Sequence, residues 1–593
     1  MPGFFGVIHN NPKKIEDLMQ KITSRIVQPE NDEYSVSMPF KQKGFALAVF
    51  GKDHNRTYLD NKNILYLFQG EMFDTSRKFS KTEIGRHIST DKVNDFALQN
   101  GAFTLLTWNK SAALLTLATD RLGLFPIYYA KFNQGFVFCT EIKGILAVPD
   151  VNKNLDLATM GAFMKCHHPI SDRTCFKTIY RVPPATLIQY TDTVTKQVLW
   201  KPEYRWNKKE SNNKHLNRLY QTLKCSARRR IEENTGMLLS GGIDSRMLAA
   251  VIPNHDKLIL MSYGIEGAWD LKFAEAVSRE MRGSFYKRVI SADIMANFQL
   301  DLLKTLEAQE GMPGLIGSYL KSCFIWSDSH ANYVLEGLGG ELNRRAFYRR
   351  FSMKHALNKN FRRSFIRSLT DFRSYQSLLK PEALVEIKAQ FLSRLTRVVD
   401  QIPAANIHDF FDLFYLTQRI PYAHGFGNNY EIKYMNARFP FYDNDYIDTL
   451  LLTPVSLRHS GAIPLSVIKR GNPKLTRIPL DHNALPVSYP ANLFQAGLAR
   501  MKELIIRKMG NKVHFLKGYL KSRYLIEYPD WIRSVWPHEI RQWVHESENF
   551  QEELFQRQNI INWVEGYLSG KHENLLVLNQ LINLAFMTGR FSK

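Results

Sequence analysis

The segment of the sequence with the clearest chemical potential is Leu239-Ser240-Gly241-Gly242-Ile243-Asp244-Ser245. Because its residues are small, backbone N–H groups can converge on an anion, and a following helix N-terminus adds a favourable dipole. The hydroxyls of Ser240 and Ser245 can donate to phosphate oxygens, and the Asp244 carboxylate can bind Mg²⁺. No Gly-Lys-Ser/Thr follows, which excludes a Walker A loop. The segment indicates a phosphate-binding loop; an ordinary Gly-rich turn with a capping Asp is the alternative interpretation.

The elements around this loop are predicted to alternate between strands and helices. A helix at 216–234 precedes the apolar strand at 236–239 that leads into the loop, and a helix at 246–252 follows the loop. Further along, the pattern predicts a strand at 258–264, a helix at 271–281, a strand at 285–290 and an apolar run at 332–340 that ends in glycines. Strands separated by helix-length segments predict a parallel sheet covered by helices, an α/β fold with helical additions after it.

The first part of the chain has a different pattern. Short β-branched and aromatic runs bounded by Gly, Asn, Asp or Lys predict strands at 44–51, 64–73, 101–108, 113–120, 126–132 and 135–141. Such runs favour a layered, β-rich α+β domain of two packed sheets. A polar, charged stretch at 204–215 indicates a linker, so we expect one domain at 1–203 and a second at 204–593.

Composition limits the class of protein. The 593 residues are 44% hydrophobic and carry 79 Lys or Arg against 56 Asp or Glu, a net charge of +23. This excludes a disordered or collagen-like chain. Five scattered cysteines and no export signal or long apolar run predict a cytoplasmic protein with reduced thiols and no transmembrane helix. The charge indicates a basic surface or attraction of an anionic partner, and no nucleic-acid recognition motif is present.

The loop resembles the pyrophosphate-binding loop of the asparagine synthetase-like ATP pyrophosphatases, and other segments extend the resemblance. These segments are Ser262-Tyr263-Gly264, Asp270 with the helix after it, Gly337-Leu338-Gly339-Gly340-Glu341, and Ala437-Arg438-Phe439-Pro440-Phe441-Tyr442-Asp443. The resemblance implies that ATP and pyrophosphate are bound by Leu239, Ser240, Gly241, Gly242, Asp244, Ser245, Ser262, Gly264, Gly337 and Gly339.

The resemblance also implies two catalytic acids, Asp244 and Glu341, that bind Mg²⁺. The second acid departs from the family pattern, because Glu341 stands where Asp is expected and Leu342 where Glu is usual. A glutamate can still bind the metal through its longer arm, and a surface Glu after a turn is the alternative.

The implied reaction follows from the poor electrophilicity of a carboxylate. Attack of the carboxylate on the α-phosphorus of ATP gives an acyl-adenylate and pyrophosphate, and an amine then displaces AMP. The protein binds the leaving pyrophosphate and, with Mg²⁺, neutralises its charge. The resemblance therefore predicts an AMP-forming, ATP-dependent carbon–nitrogen ligase with ATP and Mg²⁺ as cofactors.

The first domain resembles the glutaminase domain of asparagine synthetase, an N-terminal-nucleophile (Ntn) fold. The matching segments are Asp120-Arg121-Leu122-Gly123 with Pro126, Tyr128 and Tyr129, then Thr140-Glu141-Ile142-Lys143, and Arg173-Thr174 with Pro183-Pro184. Members that hydrolyse glutamine begin Met-Cys-Gly, whereas Pro2 has no thiol. Gln69 also replaces the Asn of the family's Asn-Gly-Glu. We therefore expect an Ntn-like fold without glutaminase activity.

An ATP site without a glutaminase leaves the amine source open. The favoured expectation is an amine carried by the substrate, as in lasso peptide macrolactam cyclases, with an acidic or precursor peptide as partner. β-Lactam synthetases place a Tyr where this chain has Leu338, which disfavours their chemistry. The alternatives are an amidotransferase that uses free ammonia or a partner glutaminase to amidate a small acid or sugar uronate, and a non-catalytic scaffold.

The last part of the chain is predicted to be helical. Residues 498–525 are basic and amphipathic, which favours helices packed at the surface, with membrane-surface contact as the alternative. Residues 543–586 predict helices packed on the synthetase core. The candidates for the late lysine of the resembled family are Lys469, Arg470, Lys474 and Arg477.

Overall fold

The structure is a computed structural model that describes residues 3–27, 35–42, 44–51, 56–90, 93–206, 209–252, 258–295, 298–310, 314–344, 360–481, 486–487, 528–545 and 550–589. Its first part contains two antiparallel sheets. The first sheet has the spatial order Tyr180–Arg181, Tyr128–Phe132, Gly135–Cys139, Gly3–His9, Phe45–Phe50 and Val36–Gln42. The second has the order Val194–Val198, Thr186–Tyr190, Leu114–Thr119, Gly101–Asn109, Ile64–Met72 and Arg56–Asp60.

The two sheets pack face to face because the inner face of each strand is apolar. Phe45 of the first sheet stacks on Trp108 of the second, with ring centroids 4.4 Å apart. Helices cover the outer faces: Pro12–Ile26 and Ile142–Leu146 lie on the first sheet, and Lys81–Thr90 and Val93–Ala97 lie on the second. This helix–sheet–sheet–helix layering confirms the predicted β-rich, Ntn-like fold class.

The second part contains the predicted parallel sheet. Its spatial order is Ser284–Val289, Ile259–Gly264, Thr235–Leu238, Tyr333–Leu335 and Ala437–Arg438. The associated helices are Asn212–Arg229, Ile243–Val251, Trp269–Met281, Phe298–Ala308 and Leu320–Asp328. The first strand of this sheet along the chain lies at its centre, and the order reverses on either side of it. Ligands of open α/β sheets bind at the carboxyl ends of the strands at such a reversal.

Helices form most of the remaining described chain. They are Phe361–Ser368, Pro381–Asp400, Ile407–Phe414, a π-helix Tyr415–His424, Gly425–Tyr434, Asn444–Leu451, Val455–Arg458, Ala462–Gly471, Tyr528–Ser534, Pro537–His545, Arg557–Leu568 and Leu575–Thr588, with Leu157–Cys166 in the first part. The last helix contacts the first part as well as the second. Gln580 Nε2 donates to the carbonyl oxygens of Phe163 and Met164, each at 3.1 Å. This interdomain contact was not expected.

Several sequence predictions need correction. The helix expected from residue 216 begins at Asn212, because the Ser211 hydroxyl caps it by accepting from the Lys214 backbone N–H at 3.3 Å. The end of the expected linker is therefore helical. Strand Gly3–His9 was missed because two glycines interrupt its apolar pattern. The basic helices predicted at 498–525 lie outside the described residues. We keep the division between residues 203 and 204 as a proposal.

Among the helices that the structure describes, none combines the length and the apolarity needed to cross a lipid bilayer.

Candidate active site at the loop Ser240–Ser245

The predicted loop lies between the central strand Thr235–Leu238 and the helix Ile243–Val251. The Leu239 backbone N–H donates to the Met261 carbonyl oxygen at 2.7 Å, which fixes the start of the loop against the neighbouring strand. Gly242 occupies the N-cap position, so Asp244 and Ser245 lie in the first helical turn. The loop therefore opens a helix at the carboxyl edge of the parallel sheet, as an anion-binding loop does.

The polar groups of the loop bond to one another in this structure. The Ser240 and Ser245 hydroxyl oxygens lie 2.9 Å apart, and the Ser240 backbone N–H donates to Ser245 Oγ at 3.1 Å. The Gly242 N–H donates to Ser240 Oγ at 3.1 Å. The Gly241 N–H donates to the carboxylate of Asp270. An acidic side chain of the protein thus already accepts from one of the amides predicted to bind phosphate.

Three aspartates surround the loop. Besides Asp244, they are Asp270, at the start of the helix Trp269–Met281, and Asp481, whose backbone N–H donates to the Gly241 carbonyl at 3.2 Å. A Cβ on Gly241 would lie 2.9 Å from the Asp481 Cβ and 3.3 Å from Asp270 Oδ1, so only glycine fits there. Burial, together with the charge of Asp481, raises the pKa of Asp270 to about 7. The loop is therefore rich in negative charge and requires cations when it binds a phosphate group.

Asp244 forms an ion pair that the sequence did not indicate. Both of its carboxylate oxygens accept hydrogen bonds from Arg344, through Nε at 3.0 Å and through Nη2. Burial raises the pKa of Asp244 to about 6, although Arg344 acts in the opposite direction. Arg344 follows the Gly-rich turn, and a Cβ on Gly340 would lie 2.5 Å from the Asp244 Cβ. The turn thus brings a guanidinium directly to the predicted metal-binding carboxylate.

The second predicted acid also lies at this turn. Glu341 Oε2 accepts from the Gly339 backbone N–H at 3.1 Å, and its charge contributes to the raised pKa values of Asp244 and Tyr415. Glu341 is partly buried rather than a surface residue. The structure therefore places Asp244 and Glu341 on facing segments of one site.

These two acids fit a magnesium ion that arrives with a nucleotide. Mg²⁺ is usually held by one or two carboxylates together with substrate phosphates and water. Among the described residues, no group of three or more His, Cys, Asp or Glu side chains is arranged to hold a metal by itself. Asp244 and Glu341 supply the carboxylates. In this structure the guanidinium of Arg344 balances the charge of Asp244. The residues are consistent with shared protein and phosphate coordination.

The other predicted binding residues divide into two groups. Gly337 belongs to the site, because a Cβ on it would lie 2.9 Å from the Ser245 backbone nitrogen. Gly339 has φ +92° and packs against the Tyr442 ring, a conformation and a contact that only glycine allows. Ser262 and Gly264 lie at the carboxyl end of the strand Ile259–Gly264, which pairs with the strand that precedes the loop.

Of the four candidates for the late lysine, Arg470 and Lys474 pair with residues outside the loop. Arg470 donates to Asn213, and Lys474 Nζ pairs with Glu280 at 3.2 Å. Instead, the buried Arg246 contacts the loop. Its Nη2 donates to the Gly241 carbonyl at 3.1 Å and to the Pro479 carbonyl at 2.8 Å. Arg246 thereby fixes the segment that carries Asp481 against the loop.

The region that resembles a glutaminase site is occupied by internal ion pairs. Gln69 Oε1 accepts from Arg56 Nε at 3.1 Å. Glu71 accepts from Arg438 Nε at 2.7 Å and from Arg438 Nη2 at 2.6 Å, and Lys78 Nζ lies 2.7 Å from Glu71 Oε1. Although burial opposes it, Arg438 with Lys78 lowers the pKa of Glu71 to about 2. Pro2 lies outside the described residues, so the expected loss of the nucleophile stays a prediction.

Replacing Arg438 by Met is expected to lower the free energy of unfolding by about 3–5 kcal/mol, because it leaves the buried Glu71 carboxylate without its main partner. The exposed pair Arg205–Glu203 provides the matched control, and Arg205→Met should cost about 1 kcal/mol or less. Adding Glu71→Gln to the Arg438→Met variant should recover part of the loss. Urea denaturation measures all three, and equal losses for the two single variants would contradict a stabilising role for the pair across the two halves.

Known protein families match segments in both halves of the chain. A glutamine amidotransferase domain family matches residues 68–201, and the asparagine synthase family matches residues 218–471. A protein of Methanocaldococcus jannaschii, provisionally assigned as a glutamine-hydrolyzing asparagine synthetase, is 28% identical over 237 residues, which are 36% of this chain and 45% of that protein. The glutamine-hydrolyzing asparagine synthetase 3 of Bacillus subtilis is 25% identical over 238 residues, 35% of this chain and 38% of that protein.

The chain spans about half the length of the curated relatives it matches, with 45% and 60% coverage of two proteins from Methanocaldococcus jannaschii. Among solved structures, glutamine phosphoribosylpyrophosphate amidotransferase from Bacillus subtilis, complexed with ADP and GMP, is similar at 12% identity. That match covers 40% of this chain and 60% of the other, and its TM-score of 0.21 is too low to support any conclusion.

Proposed function

The chain is asparagine synthetase-like in both halves, and on that basis we propose that it is an ATP-dependent ligase that amidates a small carboxylic acid with ammonia. The observation that carries the proposal is the loop Ser240–Ser245, which opens a helix beside Asp244 and Glu341. Backbone amides, two hydroxyls and two acids at one place are the groups that binding of magnesium pyrophosphate requires. AMP and pyrophosphate are the proposed products of ATP.

The proposed first step is attack of the substrate carboxylate on the α-phosphorus of ATP, with pyrophosphate as the leaving group. The loop amides and the hydroxyls of Ser240 and Ser245 take the pyrophosphate oxygens in place of their present partners. When bound, Mg²⁺ neutralises charge that develops on the pyrophosphate, and Asp244 and Glu341 are the residues that would hold it. In the second step ammonia attacks the acyl carbon, the bond to the AMP oxygen breaks, and the amide forms.

Arg344 is proposed to exchange its partner during this reaction. In the absence of ligand its guanidinium neutralises Asp244. If Asp244 held Mg²⁺, Arg344 would be free to donate to phosphate oxygens, which its planar donor set suits. Arg344 therefore supplies positive charge for the leaving pyrophosphate beside the two metal-binding acids.

Ammonia is favoured over the substrate-borne amine that we expected from the sequence. The similar proteins are asparagine synthetases, and no lasso peptide cyclase is among the similarities reported above. Gln69 is bonded to Arg56, and Glu71 is bonded to Arg438. These internal contacts support a nitrogen source other than glutamine bound in the first half. Free ammonia and a partner glutaminase are the two sources that the proposal admits.

Replacing Arg344 by Ala should lower two quantities, each for a different reason. The Mg²⁺ concentration for half-maximal ATP–pyrophosphate exchange should fall, because the competing cation at Asp244 is gone. The exchange rate at saturating Mg²⁺ should fall by about 10²-fold, because a donor to the leaving group is lost. The exposed Arg279→Ala serves as the control. An unchanged magnesium dependence would contradict the assigned exchange of partners.

The proposed function is tested by ATP–pyrophosphate exchange with L-aspartate, glucuronate or galacturonate, followed by amide formation with ammonium chloride. The proposal predicts acid-dependent exchange and, with ammonium, release of one AMP for each amide. No exchange with any of these acids, together with no binding of ATP by calorimetry, would support the scaffold alternative and overturn the proposal.

A further inference from the structure

A rare type of helix lies between the first half of the protein and the candidate active site. Residues Tyr415–His424 form a π-helix, and Pro421 lies inside it. π-Helices are uncommon, usually extend for a single turn and are frequent at functional sites. The reaction steps proposed above use no residue of this helix. Its contacts on either side show which parts of the protein it connects.

A buried arginine of the first half fixes the end of the π-helix. Arg181 donates through Nη1 to the Pro421 carbonyl oxygen and through Nη2 to the Gly123 carbonyl oxygen at 2.6 Å. A Cβ on Gly425, the residue after the π-helix, would lie 2.6 Å from Arg181 Nη2, so the guanidinium packs directly against the backbone there. A planar group that donates to two carbonyls holds the two segments in one relative position.

The last residue of the π-helix holds a buried tyrosine. Nδ1 of His424 and the hydroxyl of Tyr442 are hydrogen-bonded to each other. The Tyr442 ring in turn packs on the Gly-rich turn, since a Cβ on Gly339 would lie 2.4 Å from Tyr442 Cε1. The hydroxyl bond fixes the ring, and the ring leaves Gly339 no room to shift toward it. The position of the turn therefore depends on the π-helix.

The Gly-rich turn carries the second predicted metal-binding acid. Glu341 Oε2 accepts from the Gly339 N–H at 3.1 Å, which ties this carboxylate to the residue that Tyr442 contacts. Gly340 packs on the first acid, because a Cβ on it would lie 2.5 Å from the Asp244 Cβ. A movement of the turn therefore changes the position of Glu341 relative to Asp244. Groups that bind a ligand together have to be held within about 0.5 Å of the productive geometry.

We propose that Arg181, His424 and Tyr442 are positioning residues that hold Glu341 in place for the binding of magnesium pyrophosphate. This inference rests on the proposed function. The contacts run from Arg181 of the first half through the end of the π-helix to Tyr442, and from its ring to the Gly-rich turn. The three side chains act through the turn rather than on the ligand. The first half thereby contributes to the ligase site without any glutamine chemistry.

The test measures the Kd of preformed magnesium pyrophosphate by calorimetry, which requires neither an acid substrate nor turnover. Tyr442→Phe removes one buried hydrogen bond and should raise this Kd by about tenfold. His424→Leu should have an effect of similar size. His424→Asn, which keeps a hydrogen-bonding atom near the position of Nδ1, should recover most of the loss. Tyr58→Phe, which removes the bond from an exposed hydroxyl to the Pro39 carbonyl at 3.1 Å, is the matched control and should leave the Kd unchanged.

The contribution of the first half is tested with Arg181→Lys. A lysine keeps the positive charge but cannot donate to both carbonyls with the geometry of the guanidinium. The Kd of magnesium pyrophosphate should therefore rise by about threefold or more. In a double variant with Tyr442→Phe, the increase should be smaller than the product of the two single increases, because both changes affect one set of contacts. Independent effects that multiply would contradict the link from Arg181 to the turn.

The variant Glu341→Gln separates positioning from general damage to the fold. It should still bind magnesium pyrophosphate measurably, because Asp244 and the loop remain. In this background Tyr442→Phe should change the Kd by less than about twofold, since the group that Tyr442 positions is already lost. An equal effect of Tyr442→Phe in both backgrounds, or no effect in the unaltered protein, overturns the inference. Absence of magnesium pyrophosphate binding by the unaltered protein counts against the proposed function instead.

Discussion

Replacing Asp244 by Asn is expected to reduce ATP–pyrophosphate exchange by about 10³-fold, the scale of losing a principal electrostatic contact to a leaving group. Of the two predicted metal ligands, Asp244 lies on the helix Ile243–Val251, which the loop opens. Asn keeps the shape of the side chain and removes the charge that would hold Mg²⁺. The measurement is exchange of labelled pyrophosphate into ATP at saturating acid and Mg²⁺.

Two controls make this result specific. Asp17→Asn changes an exposed carboxylate paired only with Lys21, and its exchange should equal that of the unaltered protein. Because Asp244→Asn also removes the partner of Arg344, Arg344→Ala, which breaks the same ion pair, is the second control, and its smaller expected loss separates the metal role from loss of the ion pair. Exchange within tenfold of the unaltered rate in Asp244→Asn would rule out the metal assignment.

Ammonium is expected to support amide formation at least about 10²-fold faster than glutamine at equal concentration, because the thiols that the structure describes in the first half have raised pKa values. Burial raises the pKa of the Cys139 and Cys175 thiols in that half, which disfavours the nucleophilic thiolate. Gln69 and Glu71, in the region that resembles the glutamine site, are engaged with Arg56 and Arg438. The measurement compares amide product from each nitrogen donor and follows glutamate release.

The matched variant for this prediction is Pro2→Cys. It supplies a thiol in the position that the resembled glutaminases use, yet the pairing of Glu71 with Arg438 persists. We therefore expect no glutamate release from Pro2→Cys either. Glutamate formed in equal amount to amide by the unaltered protein would show that the first half hydrolyses glutamine and would contradict its assignment as inactive.

The first half nevertheless contacts the second at buried, polar positions. Arg181, fully buried in the first half, donates to the carbonyl oxygen of Pro421 inside the π-helix and to that of Gly123 at 2.6 Å. Asp443 accepts from Arg229 Nε at 2.8 Å and from Asn100 of the first half at 3.1 Å. These contacts give the first half a structural role that does not depend on glutaminase chemistry.

The sequence alone predicted the structural features that depend on a local pattern of residues. The loop, its strand and its helix follow one another along the chain, so residue types at 236–252 predicted them directly. The two packed sheets followed from apolar runs bounded by turn residues. Glu341 was assigned from the resemblance of its Gly-rich turn to the family, and its metal-binding role stays a prediction.

The charged surroundings of the loop could not be found in this way. Arg344 reaches Asp244 from 100 residues further along the chain, and Asp481 reaches Gly241 through a backbone contact from the far end of the described core. Neither has a local signal, since an Arg after a turn and an Asp before a loop are common.

The most direct measurement is a crystal structure of the protein soaked with magnesium pyrophosphate. The account predicts pyrophosphate on the amides of residues 240–242, a metal ion held by Asp244 and Glu341, and Arg344 turned from Asp244 to a phosphate oxygen. Density elsewhere, with Asp244 still paired to Arg344 and Gly241 still bonded to Asp270, would contradict it.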